Sequence, residues 1–261
     1  MKKHFVYIFT ILSLIVGNLS AQVDQSNEVG VIEHLGATLP LDLEFLNEKS
    51  EKVTLKQLIT KPTILSFVYF DCPGLCSPLL EGVGEVIKKT DLKLGKDYQV
   101  ITISFNFRDT PEKAKIKKDK FVEKYSKDNG DGWIFLTTDS VSIVKITDAT
   151  GFKTKAVGLD FIHPSAIIAV SPNAMITRYL YGIKFLPIDF KMAIIEANKE
   201  QPRTSIQKIM MVCYTYDPEN KRFALDITKI TGSLIIFFLL VFIIVYLIKP
   251  KNKKTKQQNN E

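Results

Sequence analysis

Histidine and cysteine are both scarce in this chain, with three of each among 261 residues. Three cysteines are too few, and odd in number, for a purely structural disulfide framework, which uses pairs in smaller, cysteine-richer chains. No internal repeat occurs, so a solenoid or propeller is excluded. Charge of one sign is also missing from the body of the chain. The formal net charge is +7, but the tail after Ile248 supplies +4 (five lysines and Glu261), and Lys2 with Lys3 supplies +2, leaving +1 for residues 4–248. A nearly neutral body offers no electrostatic footprint for nucleic acid, and no such partner is expected.

Long hydrophobic runs are confined to the two ends. Residues 1–21 begin with Lys2 and Lys3, run apolar from Phe5 to Val16 and finish in Asn-Leu-Ser-Ala. That pattern predicts a secretory signal peptide cut after Ala21, with an uncleaved anchor as the competing reading. No cysteine follows the apolar run, so a lipoprotein anchor there is excluded. From Thr231 to Ile248 the sequence TGSLIIFFLLVFIIVYLI carries no charge. A bilayer core of about 30 Å asks for roughly 20 such residues, which predicts a transmembrane helix over 231–248 rather than a buried core helix. The lysines that follow would make 249–261 a basic cytoplasmic tail and put the main domain on the periplasmic side. The expected scheme is a signal peptide (1–21), a single monomeric domain (22–205), a polar connector (206–230), the membrane anchor and the tail.

Between the ends, local patterns alternate between strand and helix. Residues 39–51 (LPLDLEFLNEKSE) form an extended lead-in or early hairpin. Thr63–Phe70 (TILSFVYF) is a fully apolar run suited to a buried central strand. Ser77–Lys89 places Leu79, Leu80, Val83, Val86 and Ile87 at helical spacing, and Tyr98–Phe105 is a second strand. Thr110 as N-cap and Pro111 at the first position open a helix to about Tyr125. Trp133–Thr137 reads as a strand and Val141–Ala149 as a helix. Ala166–Val170 and Met175–Tyr181 flank a Pro-Asn turn as a hairpin, and Pro187–Asn198 is a final helix. This order is that of an α/β thioredoxin-like fold with an insertion, a central mixed sheet flanked by helices.

The strand Thr63–Phe70 runs into Asp71-Cys72-Pro73-Gly74-Leu75-Cys76, followed by a helix. A helix N-terminus stabilises negative charge, so cysteine there becomes thiolate, the nucleophile and metal-ligating form. The spacing is CxxxC rather than CxxC. Two thiolates on one metal stand farther apart than the 2.05 Å of a disulfide, and the extra residue makes room for them, although the loop still permits a disulfide. His163 precedes a strand that should run antiparallel to Thr63–Phe70, which brings it to the same sheet edge. His4 and His34 lie in the leader and the lead-in. Two thiolates and an imidazole suit Cu(I) and tolerate Cu(II); zinc competes, but structural zinc normally takes four protein ligands.

The stretch FVYFDCPGLCSPLLEGV resembles the copper-binding motif of the Sco/SenC family. SFNFRDTPEKA resembles that family's second strand-to-helix turn, and HPSAIIAVSPNAMITRYLYGI its histidine-containing hairpin. The likeness covers roughly residues 30–200, and MMVCYTYDPENKRF resembles the end of a membrane-anchored subgroup. The resemblance implies copper ligation by Cys72, Cys76 and His163, and assembly of the dinuclear copper centre of cytochrome c oxidase subunit II or another cuproprotein. Two departures are evident: Ser-Pro rather than Pro follows the second cysteine, and Ile162 stands before the histidine where the family often has Asp, with Asp160 two residues earlier. Asp71 and Asp160 are candidates to support the ligands. Cys213, after Met210 and Met211, either passes copper on or packs as an apolar patch, and Phe105, Phe107 and Tyr69 are assigned to the core. A copper chaperone, which is a binding protein, is the first functional expectation. A thiol–disulfide reductase keeping oxidase cysteines reduced is the alternative, and a membrane-coupled sensor is weakened by the short tail.

Overall fold

The computed structural model describes residues 29–158, 160–204, 214–217, 222–225 and 227–248. The leader with His4, the group Met210, Met211 and Cys213, and the basic tail lie outside the described residues. The chain divides after Thr204 into two compact units.

In the first unit a short strand β1 (Gly30–Val31) precedes the hairpin of β2 (Glu44–Asn47) and β3 (Lys52–Thr54). The one-turn helix α1 (Leu55–Leu58) leads to β4 (Thr63–Val68), helix α2 (Cys76–Lys89), β5 (Gln99–Ser104) and helix α3 (Pro111–Tyr125). Strand β6 (Trp133–Thr137) and helix α4 (Ser140–Ala149) follow. Three short strands, β7 (Phe152–Lys153), β8 (Lys155–Val157) and β9 (Asp160–Ile162), come before the hairpin of β10 (Ala166–Val170) and β11 (Ile176–Tyr181). Helix α5 (Pro187–Asn198) closes the unit.

Seven strands form one mixed sheet in the order β11-β10-β4-β5-β6-β2-β3. Strands β4, β5 and β6 are parallel, and β10 runs antiparallel to β4 with Ile167 opposite Ser66. The thioredoxin-like α/β arrangement expected from the element order is present. Every residue of β4, β5 and β10 is buried, as a strand covered on both faces requires. Polar groups inside the sheet pair with one another: Trp133 Nε1 donates to Thr102 Oγ1 at 2.9 Å, which stands 2.8 Å from Ser66 Oγ. Helix α2 packs close to the chain after β11, because a Cβ at Gly82 would land on the Ile183 carbonyl.

Several local expectations need adjustment. Thr110 holds the N-cap position of α3, but its side chain makes no capping bond; Asp139 caps α4 instead, accepting from Val141 and Ser142 N–H. Phe107 is exposed rather than part of the core, lying in the loop after β5 where no element covers it.

In the second unit, β12 (Tyr214–Asp217) pairs antiparallel with β13 (Arg222–Leu225), and helix α6 runs Ile227–Ile248. Here the structure corrects the sequence reading. Among the described residues no helix is long and apolar enough to cross a membrane. The transmembrane helix expected over 231–248 is therefore withdrawn. With it go the single-pass placement and the periplasmic and cytoplasmic sides deduced from it.

Candidate metal centre

The end of β4 and the start of α2 enclose the turn that carries both cysteines. Pro73, Gly74 and Leu75 are exposed, Cys72 is half-buried, and Cys76, the first residue of α2, is buried; both thiols are free. Antiparallel pairing of β10 with β4 delivers His163, three residues before β10, to the same edge of the sheet. Sequence reasoning missed the β8–β9 hairpin, whose last strand ends at Ile162, immediately before this histidine. The Cys72 and Cys76 sulfurs and a ring nitrogen of His163 all lie within 4.8 Å of one another. Cys76 Sγ is 3.4 Å from His163 Nε2.

His163 sits among aromatic rings. Phe105 is 5.2 Å away between centroids and Tyr69 stands edge-on at 6.1 Å, while Phe161 packs on both at 5.4 Å. Burial lowers the pKa of the imidazole, partly opposed by its bond to the Pro164 carbonyl. That carbonyl, 3.0 Å from Nδ1, can only accept, so Nδ1 carries the proton and Nε2 presents its lone pair toward Cys76.

The two thiols differ. Burial opposes a thiolate at Cys72, but hydrogen bonds outweigh it and lower the pKa; they come from the Cys76 N–H and thiol, the Gly74 N–H at 3.3 Å and the Tyr69 hydroxyl. Burial raises the Cys76 thiol well above its ordinary value, even though the sulfur accepts the Tyr69 N–H at 3.4 Å. Burial likewise raises Tyr69, reinforced by Cys72 and Asp160. Its hydroxyl stands between the Cys72 sulfur and Asp160 Oδ1, 3.3 Å away.

Of the two aspartates singled out in the sequence, Asp160 thus reaches the site through Tyr69, whereas Asp71 is exposed and paired with Lys113. Asp109 was overlooked. Its buried carboxylate accepts the Phe70 N–H at 2.7 Å, two residues before Cys72. The overlooked signal is an acidic residue directly before a Thr-Pro helix start, facing the end of the neighbouring parallel strand.

The donor set fits a soft metal. Metal–sulfur bonds of about 2.3 Å and metal–nitrogen bonds of about 2.0 Å place two ligand atoms up to roughly 4.3–4.6 Å apart. Donors already gathered within 4.8 Å close on one ion with sub-ångström movement.

A family model described as SCO1/SenC matches residues 35–184. The SCO1 protein homolog of Bacillus subtilis (strain 168) is 29% identical over 149 residues, 56% of this chain and 75% of that protein. A crystal structure from Aquifex aeolicus VF5 is 33% identical with a TM-score of 0.57, covering 63% of this chain and 95% of that one. Arabidopsis thaliana ScoI, solved with copper bound, is 20% identical with a TM-score of 0.49, covering 64% of this chain and 99% of that one. With more than half its length matched by the family model, this chain belongs to the SCO1/SenC family.

Proposed function

We propose that this chain is a copper chaperone, which binds one copper ion through Cys72, Cys76 and His163 and passes it to another cuproprotein. The observation that carries the reading is the convergence of two sulfurs and an imidazole nitrogen within 4.8 Å, drawn from sequence positions 87 residues apart. Thiolate sulfur favours Cu(I), and affinity among divalent ions peaks at copper, so the set accommodates both oxidation states. Cys72, the less buried sulfur, is the donor an incoming acceptor reaches first. Membership of the SCO1/SenC family supports subunit II of cytochrome c oxidase as the recipient.

A second reading is favoured by one specific observation. A partly exposed cysteine of lowered pKa beside a buried thiol of raised pKa is the asymmetry of a nucleophile and a resolving thiol. The same pair could then reduce disulfides in the recipient. His163 separates the two activities, since disulfide exchange does not need a third ligand.

The test compares oxidase assembly in cells carrying His163→Ala or Cys72→Ser. The chaperone reading expects both to fail. Normal assembly with His163→Ala, alongside failure with Cys72→Ser, would overturn it in favour of the reductase. In the purified reduced protein, one equivalent of Cu(I) should bind, and either cysteine-to-serine change should remove most of the affinity, because a hydroxyl is a hard and largely protonated substitute.

A further inference from the structure

The two residues before Cys72 are both tied to the start of α3. The Phe70 N–H donates to Asp109 Oδ2 at 2.7 Å, and Ser104 Oγ, at the end of β5, donates to the same oxygen at 2.6 Å. Asp71 pairs with Lys113 Nζ, and that ammonium is also 3.8 Å from Asp109 Oδ1. The Asp109 side chain is fully buried, and its Oδ1 accepts no hydrogen bond. Burying a carboxylate is costly unless donors or a cation compensate it, and removing its partner leaves a buried amide unpaired. Strand β4 ends at Val68, whose carbonyl accepts the Phe105 N–H, so the sheet ladder stops short of Phe70. The cysteine turn therefore begins from two fixed amides: Tyr69, whose N–H faces the Cys76 sulfur, and Phe70, held by Asp109.

We propose that Asp109, backed by Lys113, is a positioning residue for the metal centre, fixing Phe70 and so the separation of Cys72 from Cys76 and His163. The proposal rests on the copper reading above. Asp109 reaches no ligand atom; it acts through the backbone at the entrance to the turn. Its loss releases that entrance and leaves the sheet and the ligands themselves intact.

The experiment uses the full chain, reduced, with Cu(I) presented by a chromophoric competitor. Asp109→Ala should lower Cu(I) affinity about 10–100-fold, the range for groups that orient metal ligands, and should shift the sulfur-to-copper absorption of the Cu(II) form. Asp109→Asn keeps an oxygen for the Phe70 N–H and should recover part of both. A purely structural role would speed amide exchange across the whole sheet and leave the absorption band in place. Unchanged affinity and absorption in Asp109→Ala would overturn the proposal. If the wild-type chain binds no Cu(I), the copper reading fails and the positioning role is decided separately, by amide exchange in the metal-free protein. Faster exchange confined to residues 70–76 in Asp109→Ala would sustain it, and wild-type rates there would sink it. Should Asp109→Ala not fold, Ser104→Ala and Lys113→Met each remove one partner of the carboxylate and carry the same comparison.

Discussion

At the scale of single residues, the centre is built from groups held in unequal states. Hydrogen bonds lower the pKa of Cys72, burial raises that of Cys76 so that it stays a thiol, and burial lowers that of His163. Copper binding near neutral pH should therefore release a proton from Cys76, and affinity should rise with pH as that thiol ionises. His163 gives a separate expectation for the metal-free protein. Its folded pKa lies below the unfolded value of about 6.5, so the unfolded chain binds the extra proton more readily. Stability is then unaffected above that value and is lost as pH falls from it through the folded pKa. Urea unfolding between pH 7.5 and 4.5 should show this loss, and His163→Gln should reduce it. An unchanged slope in the variant would assign the loss to other groups. The clustering of Cys72, Cys76 and His163 was legible because cysteine and histidine are rare here and His163 precedes a strand antiparallel to β4. Asp109 was not legible, since its role depends on a backbone amide 39 residues away.

At the scale of elements, the readable parts were those with strong periodicity. β10 and α5 fall on the residues expected, and β4 ends two residues early because the chain turns toward the cysteines. The β8–β9 hairpin was not readable: its strands are three residues each and largely exposed, so no apolar alternation marks them. What the pattern also hid is the polar bridge inside the sheet, where Thr102 on β5 links Ser66 on β4 and Trp133 on β6. Replacing it by a residue of the same shape, Thr102→Val, leaves the buried indole N–H without an acceptor. The expected cost is about 1–3 kcal/mol, measured by urea denaturation with an unchanged m-value. A loss within error would mean that the indole N–H finds another acceptor.

At the scale of the molecule, the cluster of Cys72, Cys76 and His163 belongs wholly to the first unit, since all three residues precede Thr204. The sequence placed two cysteines and a histidine at one sheet edge of that unit, but the membrane span it predicted over 231–248 does not stand, because among the described residues no helix is long and apolar enough to cross a membrane. A consequence for the whole first unit follows from the donor positions. Cys72 and Cys76 sit between β4 and α2, and His163 lies before β10, so one ion ties together segments that must all be in place when the unit is folded. A ligand that binds only the folded state stabilises it by about 2.7 kcal/mol when its free concentration is 100 times its Kd. For a unit of this size, each kcal/mol raises Tm by roughly 2–4 °C, so Cu(I) should raise the Tm of the reduced protein by about 5–11 °C. Oxidation of Cys72 and Cys76 to a disulfide removes both thiolates, and Cu(I) should then leave Tm where it was. Calorimetry of the reduced and oxidised chain, each with and without Cu(I), makes the comparison. An equal rise in both forms would place the ion elsewhere on the molecule, whereas a rise in the reduced form alone, absent in Cys76→Ser, ties folding of this unit to the centre between β4, α2 and β10.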